Sequence, residues 1–296
     1  MMPEGPEVRC LVESLSLQHQ LVGGKYEMVG AQLLSGRYQT KGPPAGWEHV
    51  QSLLPAKLSA INAKGKFIWF DLTKFYLFNT LGLSGDWTVV GNDDDADPPY
   101  ARVALLFRQC DSPQQHTVRL VFSDMIGYGT LKLVLSKDEL DKKLNQLGRD
   151  WLGHDRPTFE DFITVLGKEK KSKPLAKLLM EQKRFCGVGN YILSEVLYRA
   201  RVSPFSSCGA LLEDVSACRD VYNTIADVIT SSYLSQASAQ SVQRTQSHPF
   251  TFMVYRQSVC RQTGDSIVKE RGPHGRSVFW VPRLQTRCHD INDSVT

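Results

Sequence analysis

Phe67-Ile68-Trp69-Phe70-Asp71-Leu72 is a run rich in aromatic and branched apolar residues. Such a run, bounded by turn residues, is typical of a β-strand. The same pattern predicts further strands at Tyr76–Thr80, Asp86–Val90, Arg102–Phe107, Val118–Phe122 and Thr130–Val134. Because these strands are short and separated by turns, they favour an antiparallel β-sandwich over βαβ units.

On either side of the strands the apolar spacing becomes helical. A leading helix is predicted from the spacing of Val8, Leu11, Val12 and Leu15, with a stop at Gly23-Gly24. Residues 44–56 are predicted to be a loop with a short helical patch. After the strands, helices are predicted at Asp138–Leu147, Thr158–Leu166, Leu175–Gln182, Tyr191–Arg201 and Leu211–Leu234. The whole pattern predicts a multidomain α+β protein.

The C-terminal part is predicted to end in a β-hairpin. Ser235–Pro249 is rich in serine and glutamine and is predicted to be a loop. Phe252–Arg256 and Ser277–Trp280 are predicted to be the paired strands, with Gly264, Gly272, Pro273 and Gly275 at the tip. The predicted division is a domain at 1–137, a linker at 138–157, a helical domain at 158–250 and a hairpin with tail at 251–296.

The composition is that of an ordinary globular protein: 296 residues, 42% hydrophobic and 22% charged. The net charge is +4, and basic clusters at 168–173, 183–184 and 256–287 lie apart from an acidic stretch at 92–97. A small net charge is therefore compatible with a basic, nucleic-acid-binding face. The seven cysteines show no C-x-x-C spacing, which disfavours a disulfide framework and a four-cysteine zinc site.

No apolar run has the length of a membrane span, and the N-terminus lacks a signal-peptide pattern. The sequence therefore predicts a protein without membrane contact that is not secreted, and a monomer is expected. Its expected compartment is the nucleus of a eukaryote, or the cytoplasm and nucleoid of a bacterium.

The N-terminal stretch Met1-Met2-Pro3-Glu4-Gly5-Pro6-Glu7-Val8 carries the clearest candidate for chemistry. If both methionines are removed, Pro3 presents a secondary amine that can form an iminium with a masked aldehyde such as C1′ of a deoxyribose. An α-amino group titrates at about 7.7–8.0, so a neutral fraction exists at physiological pH. Glu4 would move protons at the same centre. The alternative is that Pro3 and Pro6 only start a helix.

Several motifs, taken in order, resemble the formamidopyrimidine-DNA glycosylase/endonuclease VIII family. They are the N-terminal Pro3–Val8, Lys64-Gly65-Lys66, Gly187–Tyr191, Ser194–Tyr198 and His274–Trp280. The resemblance covers essentially the whole chain. It applies in particular to the endonuclease VIII-like branch of giant viruses and eukaryotes, whose C-terminal hairpin lacks zinc.

The resemblance implies a leading helix and β-sandwich, a helix–two-turn–helix and a zincless finger. It implies a base-excision-repair DNA glycosylase with AP lyase activity, which removes oxidised bases through an N-terminal proline Schiff base and nicks the strand by β,δ-elimination. The implied partner is double-stranded or single-stranded DNA with oxidised bases or abasic sites, and no cofactor or metal is implied. Cys260 stands at one zinc position of the family, but Thr263, Val281 and Leu284 occupy the other three.

The same resemblance assigns the catalytic residues Pro3, Glu4 and Lys66, with Glu7 as possible support. Lys66 would bind the phosphate beside the lesion as a compact charge. Without the resemblance, a solvated strand-end lysine is the favoured interpretation of Lys66, while Glu7 is equally a first-turn glutamate facing the helix dipole.

For DNA binding, the resemblance implies Asn190, Arg276, Gly189 and Tyr191. A helix N-terminus behind glycines binds phosphate, although Asn190 could also be a plain N-cap. Arg276 would direct two donors at a phosphate, or be a solvated turn arginine.

The hole left by an extruded base would be filled by Leu83, Ile126 and Tyr128, which alone could be ordinary core or turn residues. Ile126 stands where relatives carry arginine. Because isoleucine makes no hydrogen bond, we expect little discrimination of the base opposite the lesion.

Two other functions are weighed. A non-catalytic damaged-DNA-binding protein on the same scaffold is the main alternative. Met1 should not be removed when Met2 follows it, and Pro3 would then have no free amine. Translation from Met2 would instead give a Met-Pro start that can be trimmed to expose Pro3. An RNA-binding protein with a shared helix–two-turn–helix does not explain the Pro3-Glu4 start or Arg276.

Overall fold

The computed structural model describes residues 3–18, 21–91, 96–110, 116–240 and 250–288. The chain divides into two compact units, one of residues 1–3 and 7–146 and the other of residues 4–6 and 147–296. Glu4 therefore belongs to the second unit, although Pro3 belongs to the first. The predicted four-part division stays a prediction.

The first unit contains an eight-stranded antiparallel sheet. The strands are β1 (Tyr26–Leu33), β2 (Ala56–Lys64), β3 (Phe67–Leu72), β4 (Phe75–Thr80), β5 (Gly85–Val90), β6 (Ala101–Gln109), β7 (Thr117–Asp124) and β8 (Thr130–Val134). Their order in the sheet is β5-β7-β6-β1-β2-β3-β4-β8. Strands β1 and β2 pair only at Glu27–Lys57 and Met28–Ala56, so the sheet consists of two four-stranded halves with a short junction.

The two halves share one hydrophobic core. Phe70 of β3 lies with its ring centroid 5.1 Å from that of Trp87 on β5, and Trp87 lies 5.1 Å from Phe122 on β7. Because these rings come from opposite halves, burial of the inner faces holds the halves together. The predicted antiparallel β-sandwich is confirmed.

All six predicted strands are present, but the sequence analysis missed β1 and β2. Both lack the alternation of large apolar residues that marks a half-buried strand. Gly30 interrupts β1, and β2 alternates small residues such as Ala56 and Ala63 with polar ones. Their strand conformation depends on pairing with neighbours that are distant in sequence.

Short helices complete the first unit. They are α1 (Gly5–Glu13), α2 (Arg37–Thr40), α3 (Val50–Leu53) and α4 (Lys137–Asn145), with a π-type turn at Ser14–Gln18 and a 3₁₀ turn at Trp47–His49. Gly5 and Pro6 at the start of α1 are assigned to the second unit. The leading helix and the helical patch within 44–56 are confirmed.

The second unit is mostly helical. Its helices are α5 (Phe159–Gly167), α6 (Leu175–Leu179), α7 (Asn190–Arg199), α8 (Cys208–Glu213) and α9 (Val215–Gln240). Its strands are β9 (Arg149–Asp150) with β10 (Phe185–Cys186), and β11 (Val268–Arg271) with β12 (Ser277–Trp280). Helices α7 and α9 and the segment before β11 share a core that contains Tyr191, Ile225 and Val254. In the described part of the chain, no helix is long and apolar enough to cross a membrane.

The single helix predicted over Leu211–Leu234 is wrong. The chain instead breaks at Asp214 into α8 and α9. The Asp214 carboxylate accepts a hydrogen bond from the backbone N–H of Ala217 at 2.8 Å, which caps the start of α9. This hydrogen bond is the largest cause that lowers the pKa of Asp214, and the Arg287 guanidinium lowers it further. Helix α9 runs on to Gln240, so the first part of the predicted Ser235–Pro249 loop is helical, and residues 241–249 lie outside the described residues.

The strand predicted at Phe252–Arg256 is also wrong. The successive backbone N–H groups of Met253, Val254 and Tyr255 all donate to the buried carboxylate of Glu195, each at 3.0 Å. N–H groups that converge on one anion form a turn, since alternate N–H groups of a strand point in opposite directions. The hairpin is therefore β11–β12, with Gly264 outside its tip.

Candidate functional site

The carboxylate of Glu4 lies at the N-terminus of α7 and is completely buried. Glu4 Oε1 accepts a hydrogen bond from the backbone N–H of Tyr191 at 2.9 Å, and Oε2 accepts one from Ile192 at 3.4 Å. The first N–H groups of a helix have no partner within the helix, and the helix dipole favours an anion there. The local structure therefore holds a carboxylate in a fixed position directly after Pro3.

The turn before α7 contains glycines that allow the N-terminal segment of the chain to lie directly against its backbone. The backbone N–H of Gly5 donates to the carbonyl of Gly187 at 3.0 Å, and a Cβ on Gly5 would lie 3.0 Å from the Cα of Gly187. Gly187 has a φ of 90°, which favours glycine. The amide of Gln182 fixes the same turn, because its oxygen accepts from Gly187 N–H at 3.0 Å and its nitrogen donates to Val188 O at 2.8 Å.

Asn190 is the first residue of α7, and Gly189 occupies the N-cap. The plain N-cap interpretation of Asn190 is therefore wrong. Its side-chain nitrogen donates to the carbonyl of Ser277 at 2.9 Å, and its oxygen lies 2.9 Å from Nε2 of His274. Both partners belong to the β11–β12 hairpin, so the structure brings the start of α7 together with the residues that flank Arg276.

His274 donates through Nε2, since the facing atom of Asn190 is an acceptor. Burial, and next the nearby charge of Arg276, lower the pKa of His274. The imidazole is therefore neutral at physiological pH. Arg276 itself is exposed at the end of the hairpin.

The side chain of Tyr191, which was predicted to bind DNA, is not on the surface. It is 1% exposed, its hydroxyl lies 3.1 Å from Ser232 Oγ, and its ring packs against Phe252 and Tyr255. The side chain is thus part of the hydrophobic core, and only its backbone N–H reaches Glu4.

In the first unit the three predicted void-filling residues lie on two adjoining loops. Leu83 is half-buried in the turn between β4 and β5, and Ile126 and Tyr128 are exposed in the loop between β7 and β8. The loops are joined where the backbone N–H of Ile126 donates to Ser84 Oγ at 2.9 Å. The structure therefore brings these three residues to one end of the sheet.

Pro3, Glu7 and Lys66 are the remaining predicted residues, and all three are half-buried. Pro3 precedes α1, and Glu7 lies in its first turn. Lys66 lies in the tight turn between β2 and β3, where Gly65 has a φ of 57°. The nearby Arg9 of α1 donates to the carbonyl of Ala63 in β2 at 3.5 Å.

The finger positions do not fit zinc. Cys260 Sγ lies 2.9 Å from the hydroxyl of Tyr198, and Thr263 Oγ1 donates to Asp265 at 2.6 Å. Val281 and Leu284 offer no ligand atoms. In the described part of the chain, no group of three or more His, Cys, Asp and Glu side chains could hold a metal ion.

The two turns of the finger are joined by an ion pair instead. The Arg283 guanidinium donates to both oxygens of Asp265, at 2.9 and 2.8 Å, and lowers the pKa of that carboxyl. Trp280 Nε1 donates to Glu270 at 2.6 Å across β11 and β12. Hydrogen bonds and packing thus take the place of a metal in this hairpin.

The sequence analysis assigned no role to His274, Asp124, Ser84 or Glu195. His274 and Glu195 both lay inside motifs of the family resemblance, and for His274 the closeness to Arg276 in the sequence was the available signal. The other three act through partners 40 or more residues away, or through backbone groups, which no local pattern reveals.

Two protein-family models match successive parts of the chain, and both describe the same family. Residues 2–131 match the model of the formamidopyrimidine-DNA glycosylase N-terminal domain, and residues 147–244 match that of the formamidopyrimidine-DNA glycosylase H2TH domain. A formamidopyrimidine-DNA glycosylase of a Bradyrhizobium species is 26% identical over 96% of this chain and its own full length. That of Listeria innocua is 28% identical over 71% of each chain.

Solved structures show the same fold. A structure of MutM in complex with DNA containing carbocyclic 8-oxo-G has a TM-score of 0.77 and 21% identity, over 96% of this chain and 100% of that chain. Lactococcus lactis Fpg in complex with DNA containing an abasic site has a TM-score of 0.76, with the same identity and coverage. From the ordered pair of domain matches and the full-length relatives, the chain belongs to the formamidopyrimidine-DNA glycosylase family.

Proposed function

We propose that this protein is a DNA glycosylase of base-excision repair that removes oxidised bases and cleaves the resulting abasic site. The observation that carries the proposal is the buried carboxylate of Glu4, fixed by α7 directly beside Pro3 in the chain. Its relatives are named as formamidopyrimidine-DNA glycosylases, which supports the same activity here.

The chemistry starts at the amine of Pro3 once that residue is the chain terminus. Its nitrogen bonds to C1′ of the deoxyribose while the bond from C1′ to the damaged base breaks, and the base leaves with that electron pair and takes up a proton. Glu4 protonates the sugar ring oxygen as the ring opens to an iminium.

Strand cleavage follows from the same iminium. Loss of a proton from C2′ expels the 3′ phosphate, and loss of a second proton, from C4′, expels the 5′ phosphate. Water then hydrolyses the remaining iminium, which releases the sugar fragment and restores the amine. Every step uses the terminal amine, side chains and water, without a cofactor.

Phosphate contacts hold the DNA in register. Lys66 binds the phosphate beside the lesion, and Arg276, Asn190 and the backbone at Gly189 bind neighbouring phosphates, whereas the backbone N–H of Tyr191 is already bonded to Glu4. The hydrogen bonds from Asn190 to the hairpin support this assignment, because they fix the helix start near Arg276. Glu7 supports the catalytic residues.

Leu83, Ile126 and Tyr128 occupy the space of the extruded base, and Ile126 reads the opposite base only weakly. The exposed fractions of Ile126 and Tyr128, 47% and 64%, support this role. Duplex or single-stranded substrate, a monomeric state and the compartment stay predictions.

The test uses a preparation whose chain begins at Pro3. Oligonucleotides with an oxidised purine, an oxidised pyrimidine or an abasic site are incubated with excess protein, and products are resolved on a denaturing gel. We expect base loss and strand cleavage with both phosphates left on the flanking fragments. Selective binding of the damaged strands without any cleavage would instead establish the non-catalytic alternative.

A further inference from the structure

The loop between β7 and β8 exposes apolar side chains to solvent. Met125 is 56% exposed, Ile126 47% and Tyr128 64%. Neighbouring exposed apolar residues mark surfaces that become buried in a complex.

The base of this loop is, by contrast, buried and densely hydrogen-bonded. Asp124 is 1% exposed, and its carboxylate accepts from Ser84 Oγ at 2.5 Å and from the backbone N–H of Gly129 at 2.6 Å. Ser84 Oγ in turn accepts from the backbone N–H of Ile126 at 2.9 Å. A Cβ on Gly82 would lie 2.6 Å from the backbone nitrogen of Gly129, so the two loops touch along their backbones.

Two arginines brace the loop from its other side. Arg102 donates to the carbonyl of Asp124 at 2.9 Å and to Ser35 Oγ at 3.1 Å. Arg37 donates to the carbonyl of Gly127 at 3.3 Å. The exposed apolar tip is therefore held by bonds on both flanks.

We propose that Asp124 and Ser84 are positioning residues that make the 81–85 turn and the 124–129 loop one rigid wedge, and that damage-selective binding depends on them. This inference rests on the proposed function, because the wedge acts where a base has left the duplex. Ser84 is the link, since it bonds to Asp124 on one side and to Ile126 on the other.

The physical reason is pre-organisation. Ordering a free loop residue costs backbone entropy, and this cost would be subtracted from the free energy of insertion into the duplex. Hydrogen bonds to a buried carboxylate are charge-assisted and short, so they fix the loop before DNA arrives. Leu83 then enters together with the tip, since the residue next to it in the turn is Ser84.

The experiment measures binding to two labelled duplexes of one sequence, one with a tetrahydrofuran residue as a stable abasic site and one undamaged. Ser84→Ala should lower the ratio of the two affinities about tenfold, equivalent to 1.4 kcal/mol. The affinity for undamaged duplex should stay within about twofold, because phosphate contacts dominate it. Asp124→Asn should act in the same direction. Fluorescence of 2-aminopurine placed opposite the tetrahydrofuran residue should rise less on binding of either variant than of the wild type.

Ser123→Ala is the matched control. Ser123 precedes Asp124 on β7, and in the described part of the chain its buried hydroxyl has no hydrogen-bond partner. It should keep the wild-type ratio. A wild-type ratio in both Ser84→Ala and Asp124→Asn, or an equal loss of affinity for both duplexes, would overturn the wedge. A wild-type protein that does not prefer the damaged duplex would overturn the proposed function itself.

Discussion

Two buried carboxylates lie on helix α7, and they connect the helix to different parts of the chain. At its N-terminus Glu4 accepts hydrogen bonds from the backbone N–H groups of Tyr191 and Ile192. In its middle Glu195 accepts them from Met253, Val254 and Tyr255. Both carboxylates are 0% exposed.

Burial and backbone hydrogen bonds therefore do not by themselves distinguish a catalytic carboxylate from a structural one. Glu195 ties α7 to a segment about 60 residues further along, on the way to the finger hairpin. Glu4 ties α7 to the N-terminal segment of the chain, directly after Pro3. The difference predicts that loss of Glu195 costs stability, and that loss of Glu4 costs chemistry.

The largest expected effect is that of Glu4→Gln on catalysis. Glutamine keeps the shape and still accepts a hydrogen bond from Tyr191 N–H, but its amide nitrogen faces the N–H of Ile192, which costs some stability. It also cannot carry a proton, and this loss is the one that excision measures. Single-turnover base excision should fall by about 10²- to 10⁴-fold, the range for a lost general acid–base. The exposed Glu213 at the end of α8 provides a matched glutamate, and Glu213→Gln should leave the rate unchanged. A Glu4→Gln variant with the wild-type rate would remove Glu4 from the mechanism.

Glu195→Gln should show the reverse behaviour. An amide in place of the carboxylate puts an NH2 group where Oε2 accepts from Met253 N–H and pairs with the Arg199 guanidinium, which costs about 1–3 kcal/mol of unfolding free energy. Urea unfolding measures this loss, with Glu213→Gln within about 0.5 kcal/mol of wild type as control. The folded fraction should keep its excision rate at low temperature. A Glu195 variant as stable as wild type and catalytically dead would invert the comparison.

A smaller effect is expected from Tyr191→Phe. The change removes the hydroxyl contact with Ser232 but keeps the backbone N–H that holds Glu4. Unfolding free energy should drop by about 0.5–1.5 kcal/mol, the net value of a hydrogen bond. Excision and DNA affinity should not change, since the ring is in the core. A strong loss of affinity with intact stability would mean that the side chain contacts DNA.

The smallest effect concerns His274, which bonds to Asn190 at the N-terminus of α7. Its pKa is lowered in the folded protein by burial and by Arg276, and returns to its ordinary 6.5 on unfolding. As pH falls through 6.5 and then through the folded value, the unfolded state takes up the proton first, so unfolding free energy decreases. Above 6.5 both states are neutral and the contribution is complete.

His274→Gln should lose this part of the pH dependence. Urea unfolding at several pH values, for wild type and variant, measures the difference, and histidine NMR titration gives the folded pKa directly. A His274 pKa above 6.5 in the folded protein would contradict the burial argument.

Local sequence patterns predicted those strands and helices whose conformation is determined by neighbouring residues in the sequence. Phe67–Leu72 is a strand because its own residues favour one, and the glycines before Asn190 mark a helix start. The partner of Glu195 could not be predicted, because its anion site is formed by backbone groups far along the chain. The same holds for Ser84 and Asp124, which join loops 40 residues apart. The family resemblance supplied the role of Pro3, which no spacing or composition reveals.

The central claim is that the amine of Pro3 forms the covalent intermediate beside Glu4. Borohydride is added to the protein with an abasic-site oligonucleotide, and the trapped complex is digested with trypsin and analysed by mass spectrometry. For a preparation that begins at Pro3, we predict the sugar remnant on the N-terminal peptide 3–9, and no trapping when Met2 is retained. Attachment at a lysine such as Lys66, or no trapped species at all, would contradict the claim.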